Sequence, residues 1–467
     1  MYHFLMEGIG SAEIRPEQGP AMSRWRARIA WLVIGVLVSF VVYRNSRPVK
    51  APDENEVTID DLRIKVVGEE LIGIKSLGSI AGQLQTARLL ESQQRLIVQL
   101  EESARTISDR FHIAIIAGEI LGKDQALSRL EAIEQGAVAQ PTSEQRADIA
   151  AMRTIYSGTA SALDSASQSR LIRRHDYFAR VALSFGVEPG MEPRRTIEAS
   201  GVRATIALGI ASIVMMILLL AGVGFFIAAV VLRYKGKLRR AYVPDPAAGS
   251  FYLEGFTIYF VLFILGFGLV RRYFGLVNLQ WEWFALLILP VVLTWFSWNG
   301  ASTEDRRLAL GWHTGKGVLR EIGAGIAGYL AGLVVMVVGF FVTYLLVEST
   351  GASPQNPLIY ILQGNIWHVL GLYALVSVFA PVLEETMFRG ALFHHLRRRW
   401  GWAISALIVA FIFAIIHPQG WVAVPVLGSI AIVLAALREW RGSLIAPMAA
   451  HACNNFLVLT FALAVLR

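Results

Sequence analysis

A single cysteine, Cys453, serves a chain of 467 residues, which excludes an internal disulfide framework and a cysteine-rich zinc site. Charge is scarce too: 17% of residues are Asp, Glu, Lys or Arg, against 55% hydrophobic. With a mean hydropathy of +0.52, that shortage excludes an ordinary soluble domain and puts most of the chain in a bilayer. The net charge of +8 does not argue for nucleic acid. Its basic residues sit in short runs beside apolar segments, where they act as topology signals. The fold must rest on helix packing, so the expected class is all-α and polytopic.

What is present is a series of apolar runs broken by one long polar region. The first run, IAWLVIGVLVSFVVY (29–43), follows Arg24, Arg26 and Arg28 and lacks a small-residue cleavage site, so it reads as an uncleaved signal anchor. The basic flank puts the N-terminal tail, 1–28, in the cytoplasm. Residues 1–21 read as disordered, with Met22 a second candidate start. From 46 to 200 the composition is that of a water-soluble helical region, as in LLESQQRLIVQLEESARTISDRFHIAIIAGEIL. It is expected to be an extracytoplasmic helical domain between the first and second membrane helices. With no cysteine pair, no Gly-rich phosphate loop and no clustered His and Asp, it is assigned no chemistry beyond a spacer or a site for a recruiting partner.

Further runs near 203–232, 254–275, 279–299, 321–347, 366–396, 402–417, 421–437 and 443–466 bring the expected membrane helices to about nine. The segments RYKGKLRR, EDRRLALGWHTGKGVLR and HHLRRRW fall on the cytoplasmic side, whereas Arg271 and Arg272 fall on the wrong one. Helices 2–4 with their loops occupy 203–318, and a last unit covers 319–467. Ala324, Gly328 and Gly332 have the small-xxx-small spacing of close helix packing. Trp281, Trp283, Trp295 and Trp298 suit an interfacial aromatic belt.

Three of the last helices carry polar groups that a lipid-facing sequence would not keep, since a charge near a bilayer centre costs at least ~2.5 kcal/mol. Glu385 and Arg389 are four apart and share a face, so they can pair, while Glu384 points about 100° away with its carboxylate free. In FAIIHP, Phe413 and His417 are also four apart, and Pro418 should end that helix at His417, short of crossing the ~30 Å core. In HACNN, His451 and Asn455 repeat the spacing. Counted from the basic turn at 397–401, Glu384 lies ~22 Å back and His417 ~25 Å on; from the turn at 438–442, His451 and Asn455 lie ~15 and ~21 Å on, if both turns face one side. The groups should then share a layer. A free carboxylate beside a histidine can hold a water and take its proton, and a second histidine with an amide can donate to an oxyanion.

EETMFRG, FAIIH and HACNN resemble, in order and spacing, the EExxxR, FxxxH and HxxxN/D motifs of the CAAX-protease and bacteriocin-processing (CPBP, or ABI) family of intramembrane endopeptidases. The resemblance covers roughly 320–466. It implies that Glu384 and His417 activate water, that His451 and Asn455 form the oxyanion site, and that Glu385 and Arg389, with Phe413, support them. No cofactor is expected, and the substrate is expected to be a membrane-associated protein or peptide. Three alternatives stand beside it: a zinc enzyme using Glu384, His417 and His451 as a His₂Glu set, an ion-coupled transporter, and a silent scaffold. The expected location is multi-pass in the plasma (inner) membrane, in contact with membrane lipid.

Overall fold

A computed structural model describes residues 20–46, 59–81, 86–104, 106–136, 140–158, 163–244, 249–266, 285–299, 301–350, 352 and 365–466. Most of the N-terminal tail, Arg271, Arg272, Trp281 and Trp283 lie outside the described residues. Among those described, every regular element is a helix.

The first helix, α1 (Pro20–Ser46), is longer than the apolar run that announces it. It runs back through Arg24, Arg26 and Arg28, because arginine is a good helix former and proline suits a first turn. Next come α2 (Ile59–Ala81), α3 (Thr86–Ser103), α4 (Ile107–Leu121), α5 (Lys123–Glu134), α6 (Ser143–Ser157) and α7 (Ser165–Leu183). Two of them start on reciprocal caps, Thr106 with Asp109 and Thr142 with Gln145. Their apolar faces close on a core of their own, including Ile72, Phe111, Ile116, Met152, Leu171 and Phe178.

A continuous 41-residue helix, α8 (Arg194–Tyr234), leads from this bundle. Its base is tied down where Arg194 grips both carboxylate oxygens of Glu119 at 2.5 and 2.6 Å. Gly201 of α8 and Gly73 of α2 bring the two backbones together, and a Cβ on either would strike the other chain.

The remaining helices are α9 (Phe251–Val261), α10 (Ala285–Trp298), α11 (Thr303–Leu310), α12 (Val318–Thr350), α13 (Ile366–Arg397), α14 (Trp402–Ile415), α15 (Val424–Arg441) and α16 (Ile445–Leu466). Six helices are long and apolar enough to cross a membrane; those starting at Phe251, Leu287 and Trp402 are apolar but shorter. The small-residue stripe on α12 packs as its spacing suggests: Gly328 meets Leu437, and Gly332 meets Val433, both on α15. At the top of the stripe Gly325, one place along from Ala324, faces Ala446 of α16.

Both basic turns lie at one end of the bundle, because Arg397 holds Glu439 through two bonds of 2.9 Å. Arg441 holds Glu321 there, at the start of α12. Arg26 reaches Glu254 at 3.0 Å and Asn299 at 2.8 Å, so α1 and α9 begin, and α10 ends, at this same end. At the far end Asn45 donates to the Ile415 carbonyl, where α14 stops.

Candidate active site

The site is built on α13, and α13 departs from a regular helix on both sides of it. Wide π turns occupy Leu375–Phe379 and Thr386–Leu392, with Glu384 and Glu385 on the short α-helical piece between them. Pro381 explains part of the first. In that turn the Ala380 N–H bonds the Leu375 carbonyl. Proline has no N–H with which to continue the pattern to Val376. The freed Val376 carbonyl accepts instead from Asn455 Nδ2 at 2.7 Å, which joins α16 to α13. Turns of this kind recur at functional sites because they aim side chains and release backbone groups. The second one leaves the Arg389 carbonyl to accept from Arg438 Nε at 3.3 Å.

Glu385 and Arg389 are both fully buried and pair at 2.8 Å. The other arm of Arg389 donates to the Ala431 carbonyl of α15 at 3.1 Å, and its guanidinium lies 4.7 Å from the centre of the Phe413 ring. The oxygen of Glu385 that receives Arg389 also receives His451 Nδ1, at 2.9 Å. One carboxylate oxygen thus fixes a residue on its own helix and one on α16. Because a carboxylate only accepts, Nδ1 of His451 carries the proton, and Nε2 is left facing Glu384 Oε2 at 3.9 Å.

His417 is fixed by the same logic. Its Nδ1 lies 2.6 Å from the Phe413 carbonyl, which also only accepts, so the proton sits there and Nε2 of the neutral ring offers a lone pair. It stands just past the end of α14, held between Ile416 and Pro418. The 14 residues of α14 rise only ~21 Å, short of the ~30 Å of a bilayer core. Phe413 is the wall that joins the groups, 4.4 Å from the His417 ring and edge-on to His451 at 5.9 Å.

Glu384 differs from its neighbour in exposure: its side chain is 17% exposed where that of Glu385 is fully buried. Among the described residues its Oε2 is buried with no hydrogen-bond partner, as is Glu385 Oε2. Asn455, besides bonding Val376, accepts from Asn454 at 3.1 Å, which sets its amide with the second N–H unused by these contacts.

Glu384, Glu385, Arg389, Phe413, His417, His451 and Asn455 therefore gather in one region. Among the described residues, no group of three His, Cys, Asp or Glu side chains is arranged to hold a metal ion. The Glu384, His417 and His451 set is not among such groups.

Tyr259 of α9 was not singled out in the sequence. It is fully buried, its hydroxyl has no partner, and its ring lies edge-on to Phe388 at 6.1 Å. Phe388 is one turn from Glu384 on the same helix. One of two tyrosines in the apolar run FYLEGFTIYFV, it carries no periodic signal that would mark it.

The polar region also holds a cluster. Asp61 Oδ1, His112, His175 and Asp148 form a chain of contacts at 2.9, 3.0 and 3.2 Å. The sequence reading found no clustered His and Asp here. The four residues come from α2, α4, α7 and α6, so tertiary packing alone brings them together.

Residues 363–457 match the family model described as type II CAAX prenyl endopeptidase, Rce1-like. No curated protein and no solved structure matches the chain. The matched segment contains all seven gathered residues and is consistent with the CPBP resemblance of the motifs. With the apolar helices, it supports a membrane protease embedded in the bilayer.

Proposed function

We propose that this protein is an intramembrane endopeptidase that hydrolyses a peptide bond of a membrane-associated protein or peptide. Glu384 takes a proton from water, and the lone pair of His417 Nε2 accepts a hydrogen bond from the same water. Asn455 donates to the oxyanion, as does His451 once its Nε2 takes a proton from solvent, and Glu384 passes the proton it took from water to the leaving amine. Glu385 and Arg389 are positioning residues, and Phe413 holds the rings apart. The observation that carries this reading is the unpartnered, buried Oε2 of Glu384 facing His451 Nε2 at 3.9 Å. A buried acceptor without a partner is destabilising and rare unless a ligand or reaction uses it.

The proposed topology has about nine crossings, including the three shorter helices, with the N-terminus and basic turns in the cytoplasm. Residues 46–200 would then form an extracytoplasmic domain that receives a partner or substrate, and the setting would be the plasma membrane. The family description is that of a CAAX prenyl endopeptidase, which makes prenylated proteins one candidate class of substrate.

The test compares membranes carrying the native protein with Glu384→Gln and His417→Ala forms. A neo-terminus should appear only with the native protein, and each variant should lower cleavage roughly 10²- to 10⁴-fold while remaining inserted. Near-native cleavage by either would overturn the mechanism. Metal content measured on the same active sample separates the zinc alternative. We expect activity to survive chelation; one zinc per chain, with activity lost on removal and restored on return, would reassign Glu384.

A further inference from the structure

At the basic end of the bundle, α1 and the turn after α13 enclose a cleft of about 500 Å³ lined by Arg24, Ala27, Arg28, Trp31 and Arg399. Most arginines nearby are satisfied. Arg26 holds Glu254 and Asn299, Arg397 holds Glu439, and Arg398 donates to the Gly249 carbonyl at 2.9 Å. Arg24, Arg28 and Arg399 are exposed, and among the described residues none has a carboxylate partner. The alternation along α1 is the reason. Residues 24 and 28 share a face four apart, whereas Arg26 points the other way, toward α9 and α10. Like charges one turn apart disfavour each other, and a third guanidinium converging on them adds to that repulsion. Such an arrangement is stable when an anion occupies it.

The floor and wall add a second constraint. Ala27 is buried at the base, and Trp31 stands one turn deeper, its ring 6.4 Å from His395. A guanidinium cluster above an indole, at the end of membrane-crossing helices, matches an anionic headgroup over an acyl chain. A guanidinium can bind two phosphate oxygens at once, and a phosphate carries enough oxygens to meet more than one arginine. We propose that this cleft binds a phosphate group, supplied by an anionic phospholipid of the leaflet at the basic end. The site lies apart from Glu384, at the opposite end of the same stretch of α13, and the proposal is independent of the proteolytic reading.

The experiment uses the full-length protein in phosphatidylcholine nanodiscs with a minor fraction of phosphatidylglycerol, and native mass spectrometry to count retained lipid. Arg24→Gln, Arg28→Gln and Arg399→Gln are compared singly and together with Lys237→Gln, which removes an exposed charge from the same end outside the cleft. Among the described residues the substituted arginines have no carboxylate partner, and gel filtration with a melting curve checks that each variant is intact. Phosphatidylglycerol should be retained by the native protein and by Lys237→Gln, and retention should fall roughly fivefold for each arginine removed. In lipid-free detergent, a melting shift with inorganic phosphate that the triple variant lacks would show the same chemistry met from solution. Equal retention by native and triple variant overturns the site. So does an equal loss in Lys237→Gln, which would mean diffuse surface charge, and so does indifference to both probes.

Discussion

Arg389 shows how much a single side chain can be asked to hold. It bridges Glu385 and the Ala431 carbonyl while stacking on Phe413, and it has no exposed surface. Arg389→Ala should leave Glu385 as a buried charge supported only by His451, a loss of about 3 to 5 kcal/mol. We expect lower abundance and a lower melting temperature as well as lost cleavage; normal abundance would show that the pair is not structural. Tyr259→Phe tests the opposite kind of residue. It keeps the ring packing and removes only the unpartnered hydroxyl, so melting should hold while turnover falls roughly tenfold or more, if the phenol donates to the reacting groups. Unchanged turnover would leave that hydroxyl without a role. The Glu385–Arg389 pair was legible because helical spacing of four puts both on one face. The bond from Glu385 to His451 was not, since it depends on which oxygen faces α16. Asn455 had a visible cue in Pro381, whose missing N–H releases a carbonyl, but sequence does not say which donor will take it.

Among elements, α4 and α7 carry the feature that composition hid. Three contacts link Asp61 through His112 and His175 to Asp148. Burial pulls the His175 ring below its ordinary 6.5, and the bond to Asp148 opposes this without reversing it. Burial pushes the Asp148 carboxyl up, but the bond from His175 and the charges of His175 and Arg174 leave it below its ordinary 3.8. Arg170 also holds Asp148, and Glu144 pairs with Arg174. Since His175 binds its proton less tightly when folded, the unfolded chain takes up more protons below 6.5, and stability falls as pH drops through the folded value. The Asp148 contribution is lost later, below 3.8. Hydrogen exchange on the full-length protein should show α4 and α7 opening on acidification from neutral pH before the membrane helices do. Protection independent of pH down to about 4 would show that the chain of contacts does not couple to folding. Six apolar helices long enough to cross a membrane were readable from length and hydropathy, whereas three of the runs counted toward nine form shorter helices. The π turns of α13 were not, because an inserted residue leaves the apolar pattern almost unchanged.

For the whole molecule, the two basic turns were expected to share one side only conditionally, and the Arg397 to Glu439 pair meets that condition. The register of Glu384, His417 and His451 could be counted from those turns because helical rise is fixed. How α1 lies against α9 and α14 could not, since nothing local in an apolar run names its neighbour. The continuous α8 has a consequence of a different sort. At 41 residues it is ~61 Å long, about twice the thickness of a ~30 Å hydrocarbon core. Arg194 and Glu119 clamp its base to α4, and Gly222 seats its other half against Leu330 of α12. The α2–α7 bundle is therefore mounted on a post and not hung from a tether. In the proposed topology its height above the lipid is set by a count of residues, so particle images in nanodiscs should show it at one fixed distance from the disc. A spread of heights would mean that the post bends. A stiff post acts as a ruler: a target bound by that bundle would be presented to the membrane at a set standoff, with reach decided by helix length instead of chance.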